Sequence, residues 1–350
     1  MSRTLLAEHT TLRLGGPARH FVEVTSQAQL IESVAGADEA GTRVLLLAGG
    51  SNLVVSDDGF PGTVVHITTS GVEVDQDAES DATVTVAAGQ DWDGFVATAI
   101  DHGWVGVEAL SGIPGSVGAT PIQNVGAYGQ EVAESIASVR CWDRKDRAVR
   151  TIAAADCGFG YRSSRFKQNP HRFVVLDVTF RFPHGDLGAP VQYAELARTL
   201  GLEPGQRAPM RQVRDAVLRL RRRKGMVLDA ADPDTWSAGS FFTNPFLTGE
   251  QVRLLPAEAP RWEQRDGSTK TSAAWLIEHS GFGKGYGNDR VSLSTKHTLA
   301  LTNRGGASTK DLVALASELQ TGVHERFGIW LVNEPVLVGC ELSRGPDGPL

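Results

Sequence analysis

The chain has 350 residues, 41% hydrophobic and 21% charged, with a formal net charge of −7 at pH 7. At about 100–200 residues per domain, that describes a folded protein of two or three domains, and the acidic balance excludes broad nucleic-acid binding, which needs a basic face. Three cysteines without a C-x-x-C pair (Cys141, Cys157, Cys340) indicate neither a disulfide framework nor a metal site, and the sequence shows no signal-peptide core and no apolar run of about 18–20 residues, so a cytoplasmic protein without a membrane span is expected.

In chain order, residues 26–37 predict a short helix with Leu30, Ile31 and Val34 on one stripe. "RVLLLAGG" (43–50), "TVVHITT" (63–69) and "TVTVAAG" (83–89) predict strands, rich in β-branched residues and bounded by turn residues. Asp91 is placed to cap a helix carrying Trp92, Phe95, Val96, Ala99 and Ile100, stopped at Gly103. "FVVLDVTFRF" (173–182) predicts another strand. A helix follows with Met210, Val213, Val217 and Leu220 on one face, and the bland reading of its arginine-rich end, Arg221–Arg223, is a solvated terminus. Residues 226–237 read as a domain junction. Ser308 and Asp311 form a capping-box pattern before a long helix, and "EPVLVGCEL" (334–342) predicts a final strand.

The glycine count, 39, falls in short clusters between apolar runs, which marks tight backbone turns near a ligand. In "LAGGSNLVVSDDGFPG" (47–62), Gly49 and Gly50 end a strand where successive N–H groups can converge on an anion, and no GK[ST] follows to make a Walker loop. "LSGIPGSVGATPIQNVGAYGQEV" (110–132) has glycines at 112, 115, 118, 126 and 129 in G-x-x-G-x-x-G spacing, unlike the dinucleotide fingerprint. Ile113, Val117, Ile122 and Val125 are too apolar for a linker, so the segment suits backbone wrapped around a large flat ligand. "GFGKGYGND" (281–289) follows a helical pattern and has Tyr286 at the third glycine position, so it reads as a mobile loop. "AGSFFTNP" (238–245) sets Ser240 before two phenylalanines, a hydroxyl fixed in an apolar wall. Taken singly, Arg162 in "YRSSRFK" and Glu334 before Pro335 read equally well as exposed charges.

As an ordered set, "TTLRLGGPA", "AGGSNLVVSD", "GIPGSVGATPIQNVGAYGQE", "YRSSRFK", "AGSFFTNP", "AAWLIEHSGFGKG" and "NEPVLVG" resemble the UDP-N-acetylenolpyruvoylglucosamine reductases, the MurB flavoenzymes, over nearly the whole chain. The resemblance implies an α+β fold: a two-subdomain FAD-binding fold of the vanillyl-alcohol-oxidase/PCMH type plus a C-terminal α/β substrate-binding domain. It implies FAD-binding subdomains over 1–74 and 75–225 and a substrate domain over 226–333, with the strand in 334–350 returning to the first subdomain. The implied activity is NADPH-dependent reduction of the enolpyruvyl ether to UDP-N-acetylmuramate through non-covalent FAD, a peptidoglycan precursor step performed by a cytoplasmic monomer.

Carried over residue by residue, the family pattern makes Arg162 the carboxylate anchor, Ser240 the proton donor to C2 and Glu334 an acid that stabilises the enolic intermediate. The FAD-binding set is Gly49, Gly50, Ser51, Asn52, Leu53, Gly112, Pro114, Gly115, Gly118, Ala119, Gln123, Asn124, Gly126, Ala127 and Tyr128. The implied substrate contacts are Tyr128, Tyr193, Lys224, Asn244 and His279, the last standing where the family usually has Gln. Two rival readings are an FAD-dependent alcohol oxidase of the same fold, which has no need of Arg162, Ser240 and Glu334 together, and a non-catalytic sugar-nucleotide sensor.

Overall fold

A computed structural model describes residues 4–75, 81–264, 266–343 and 345. The last residues of the expected 334–350 segment, 344 and 346–350, lie outside the described residues. Contacts divide the chain into two compact units: a terminal unit of Met1–Arg19, Gly50–Phe60 and Lys224–Leu350, and a middle unit of His20–Gly49 and Pro61–Arg223.

The middle unit is built on a five-stranded antiparallel sheet with the order Ala148–Ala153, Ile136–Asp143, Phe173–Pro183, Asp81–Ala87, Val72–Asp75. Strand Asp81–Ala87 alternates in burial, with Ala82, Val84 and Val86 turned inward, so one face can meet a core. The helix Trp92–Asp101 supplies that core. Asp91 caps it by accepting from Gly94 N at 2.7 Å, and Trp92, Phe95, Val96, Ala99 and Ile100 are all buried. Phe95 meets Phe180 at 5.1 Å between ring centroids, and Trp92 Nε1 donates to the Leu110 carbonyl at 3.1 Å. That bond fastens the start of the long glycine-rich segment to the core helix. A smaller sheet pairs Val44–Leu47 in parallel with Phe60–Ile67, and Leu30 and Val34 of helix Gln27–Glu39 share a buried cluster with Val65. A third cluster joins helices Ala194–Leu200 and Met210–Arg223 around Leu196, Val213, Val217 and Leu220.

The terminal unit packs helices Ala273–His279 and Thr309–Phe327 around Leu276, Ile277, Leu312, Leu315, Leu319 and Val323. The capping box of the long helix forms as its sequence predicts, with Ser308 and Asp311 each accepting from the other's backbone. The final strand shrinks to Val336–Val338, because Pro335 cannot donate to a ladder and Gly339 turns with φ +70°. It pairs in parallel with Leu53–Val55. The 281–289 segment is not the loose loop its glycines suggest. Tyr286 donates its hydroxyl to Glu318 at 2.6 Å and packs edge-on to Phe282, which fills the space that a Cβ on Gly322 would need.

Cys141 and Cys157 are buried free thiols, and burial pushes them up to about 12 and about 11, which makes them poor nucleophiles. Among the described residues no helix is long and apolar enough to cross a membrane.

Candidate active site

In the middle unit the two glycine-rich segments meet backbone to backbone. A Cβ on Gly49 would stand 2.8 Å from the Gly115 Cα, and one on Gly118 would stand 2.5 Å from the Ala88 Cβ. Gly112 and Gly115 have φ of +72° and +123°. The chain therefore uses glycine here for close approach and for turning. Several N–H groups of the segment are spent internally: Gly112 N donates to Asp93 Oδ1 at 2.6 Å, Val117 N to the Gln90 carbonyl at 2.9 Å and Gly118 N to the Ala88 carbonyl at 2.8 Å. Asp93 is in turn gripped by both terminal nitrogens of Arg214, at 2.6 and 2.9 Å. Burial pushes the Asp93 carboxyl up, but Arg214 and the Gly112 N–H outweigh it and hold its pKa below the usual carboxylate value.

Three non-glycine residues of the expected site adopt left-handed backbone: Asn124 at φ +47°, Tyr128 at +51° and Arg162 at +49°. Such conformations cost energy and cluster where function constrains the chain. Asn124 is 1% exposed. Its amide donates to Glu131 at 2.6 Å and to the Gly160 carbonyl at 3.2 Å, and its oxygen accepts from Ala133 N at 3.1 Å. Its side chain thus ties the glycine-rich segment to the loop that bears Arg162. Arg162 closes the tie from the other side, donating to the Gly126 carbonyl at 2.7 Å and to the Asn124 carbonyl at 3.4 Å. Tyr128 and Tyr193 meet edge to face with centroids 5.5 Å apart.

The arginine-rich helix end corrects the solvated reading in part. Arg222 and Arg223 are exposed, but Arg221 turns inward. Burial draws its guanidinium below the ordinary value, opposed by Tyr128 and Asp93. The charge run alone could not show this, because the helix phase places one arginine of three on the inner side. Lys224 lies half-buried just after the helix.

In the terminal unit, the backbone joins the turn that carries Ser240 to the segment that carries Glu334. Glu334 N donates to the Phe241 carbonyl at 2.8 Å, Thr243 N donates to the Val332 carbonyl at 3.0 Å, and Phe242 bridges Asn333 in antiparallel fashion. Phe241 and Phe242 are each 1% exposed and belong to the helical core, so the turn that carries Ser240 is rooted in packed side chains. Val336 N donates to the Asn52 carbonyl at 2.9 Å, which brings the "GGSNL" segment to the same strand end. Ser240 Oγ also lies 3.4 Å from Nε2 of His297, a residue the sequence did not single out. It sits between two three-residue strands, where no periodicity marks it.

Two expected substrate contacts are engaged with the protein. The Asn244 oxygen accepts from Ala273 N at 3.0 Å, at the start of helix Ala273–His279. His279 stacks on Trp275 with centroids 3.8 Å apart and donates from Nδ1 to the Trp275 carbonyl at 2.8 Å.

Comparison with known proteins gives two family matches: the UDP-N-acetylenolpyruvoylglucosamine reductase C-terminal domain over residues 232–338 and an FAD binding domain over residues 18–152. The UDP-N-acetylenolpyruvoylglucosamine reductase of Cutibacterium acnes is 56% identical over 340 residues, covering 96% of this chain and 90% of the relative. The chain belongs to the UDP-N-acetylenolpyruvoylglucosamine reductase family. The Thermobifida fusca member is 54% identical, covering 96% of this chain and 97% of its own. The crystal structure of the Thermus caldophilus reductase superposes with a TM-score of 0.62 at 25% identity, covering 96% of this chain and 98% of that one. The chain is thus an oxidoreductase with an FAD-binding domain and the α+β fold of this family.

Proposed function

We propose that this protein reduces UDP-N-acetylenolpyruvoylglucosamine to UDP-N-acetylmuramate, a peptidoglycan precursor step, with NADPH as the external reductant and non-covalent FAD as its cofactor. The observation that carries this reading is full-length relatedness: relatives bearing this name are 56% and 54% identical over 96% of the chain. The residues fit a flat cofactor, because the Gly49–Gly115 contact removes side chains from between two backbone segments. Gly49, Gly50, Ser51, Asn52, Leu53, Gly112, Pro114, Gly115, Gly118, Ala119, Gln123, Gly126, Ala127 and Tyr128 would hold it. Asn124 serves by fixing the loop.

FAD, when bound, supplies the hydride that adds to C3 of the vinyl group. Addition to an α,β-unsaturated carboxylate builds negative charge on that carboxylate, which fixed donors in a water-poor site stabilise. Arg162 grips the carboxylate, Glu334 acts as a protonated acid on the enolic oxygen, and Ser240 delivers the proton to C2. A serine hydroxyl is a weak acid, so this step needs a strongly basic acceptor and a fixed donor. Burial of Phe241 and Phe242 supports the second requirement. Lys224 and Asn244 hold the diphosphate and uridine, Tyr193 covers the nucleotide, and His279 replaces the family's usual amide. The pairing of Val336–Val338 with Leu53–Val55 supports the return of 334–350 to the first FAD-binding subdomain (1–74), ahead of the second (75–225) and the substrate domain (226–333). We read the protein as a cytoplasmic monomer.

Stopped-flow absorbance tests the whole reading. NADPH should bleach the flavin band and the enolpyruvyl nucleotide should restore it. Ser240→Ala should leave the bleaching nearly intact and slow the recovery by about 10²–10⁴-fold, the usual worth of a general acid. Equal loss in both phases removes Ser240 from the proton-donor role, and no recovery in the wild-type protein rejects the function.

A further inference from the structure

We propose that His297 is the positioning and proton-resupply residue behind Ser240, holding the hydroxyl in its donating orientation and restoring its proton after each turnover. The inference rests on the proton-donor reading of Ser240 and extends it to a residue outside the family pattern carried over from the sequence.

The first observation is the contact. Ser240 Oγ and His297 Nε2 are 3.4 Å apart across 57 residues of sequence. Hydrogen bonds of catalytic groups are often long without substrate and tighten when it binds. The second observation is the mount. Thr295 donates from its backbone to Asp234 Oδ1 at 2.9 Å and from its hydroxyl to Oδ2 at 2.5 Å. Lys296 N donates to Ser294 Oγ at 3.0 Å, and the Lys296 ammonium pairs with Asp232. Thr298 donates its hydroxyl to Glu278. Ala300 N donates to the His297 carbonyl at 3.1 Å. On the other side, Phe241 N donates to the Leu299 carbonyl at 2.7 Å, joining the serine turn to the histidine turn. Residues on both sides of the imidazole are thus fastened, and the two turns are fastened to each other. A site that must hold a donor within a fraction of an ångström is supported in this way.

The chemistry balances. As the C2–H bond forms, the Ser240 O–H bond breaks. The Nε2–H bond of an imidazolium breaks as the Ser240 O–H bond reforms, leaving neutral imidazole. Solvent water returns the proton to Nε2 before the next cycle. The charged groups on the surrounding elements are Lys296 with Asp232, Asp234 with Arg304, and Glu278 on helix Ala273–His279; Glu334, beside the Phe241 carbonyl, is read as protonated and adds no charge. The carboxylates favour the imidazolium, and Lys296 and Arg304 oppose it.

The experiment uses the flavin-loaded protein. In the wild type, recovery of the flavin band by the enolpyruvyl nucleotide should slow as pH rises through the imidazole range, about 5.5 to 8, while bleaching by NADPH keeps its own profile. His297→Gln, which keeps a hydrogen-bonding side chain but cannot titrate, should slow recovery by about 10–100-fold, leave bleaching within twofold, and flatten that pH limb. Imidazole ¹⁵N NMR supplies a reading apart from turnover: the signal missing in His297→Gln should shift in Ser240→Ala. A wild-type recovery rate with no limb in that range overturns the proposal. So does a His297→Gln protein with the wild-type rate and profile, or a His297 signal indifferent to Ser240→Ala. If Ser240→Ala itself recovers normally, the parent reading has failed instead.

Discussion

The Arg162 guanidinium reaches the Gly126 carbonyl at 2.7 Å, so the expected substrate anchor is also a brace for the glycine-rich segment. An arginine can serve both purposes because its planar fork carries five donors. Lysine offers a point charge and cannot span the two. Arg162→Lys should therefore retain flavin but lose substrate reduction by about 10–100-fold, the cost of one or two charge-assisted hydrogen bonds. Steady-state kcat/KM with the enolpyruvyl nucleotide measures this, and an unchanged value would release Arg162 from both duties.

The glycine contacts separate packing from flexibility. Gly118→Ala would drive a methyl to 2.5 Å from the Ala88 Cβ, and Gly49→Ala to 2.8 Å from the Gly115 Cα. Each should cost about 1–3 kcal/mol and lower the flavin content of the purified protein. Gly36 provides the control. It lies within helix Gln27–Glu39 with open space around its Cβ position, so Gly36→Ala should stabilise by roughly 0.5–1 kcal/mol. Thermal melts and the ratio of flavin to protein absorbance test all three.

Asp93 couples acid stability to the glycine-rich segment. Its folded pKa lies below the ordinary carboxylate value through Arg214 and the Gly112 N–H, with burial opposing them. A depressed carboxyl contributes stability above its unfolded pKa of about 3.9 and loses it as pH falls through the folded value. Asp93→Asn should therefore lower Tm at neutral pH, with the gap to wild type closing below about pH 4. A gap that stays constant across pH would show that the ion pair adds no linkage.

Tyr128 and Tyr193 form an edge-to-face pair, 65 residues apart in sequence. Such pairs contribute about 0.5–1.5 kcal/mol beyond their burial. Tyr193→Ala should weaken nucleotide affinity and Tyr193→Phe should nearly preserve it. In a double-mutant cycle Tyr128→Leu and Tyr193→Leu should couple by that amount. Additive losses would mean that the rings only adjoin.

What the sequence disclosed follows from what is local. The helix at Trp92 and the helix at Thr309 were visible because their caps, stripes and stops are written within a few residues. The core position of Phe241 and Phe242 was visible for the same reason. The final strand was overread because its apolar run outweighed Pro335 and Gly339, the residues that bound it, and its partner Leu53–Val55 lies almost 300 residues away. Arg221 was misjudged because a charge run gives no phase. His297 stayed hidden because a lone histidine between short strands has no signature until Ser240 stands beside it. Asn124 looked like a ligand donor, but its amide is committed to Glu131 and Gly160.

The parallel pairing of Val336–Val338 with Leu53–Val55 bears on how the protein is made. Residues 20–223 contain everything the middle unit needs, so that unit can collapse while translation continues. Its companion cannot finish until Val336 has left the ribosome, and until then strand Leu53–Val55 lacks its parallel partner. A nascent chain stalled short of that point would expose an orphan strand edge to chaperones and proteases. Truncation just before Val336 should therefore injure the protein far more than the number of residues lost suggests.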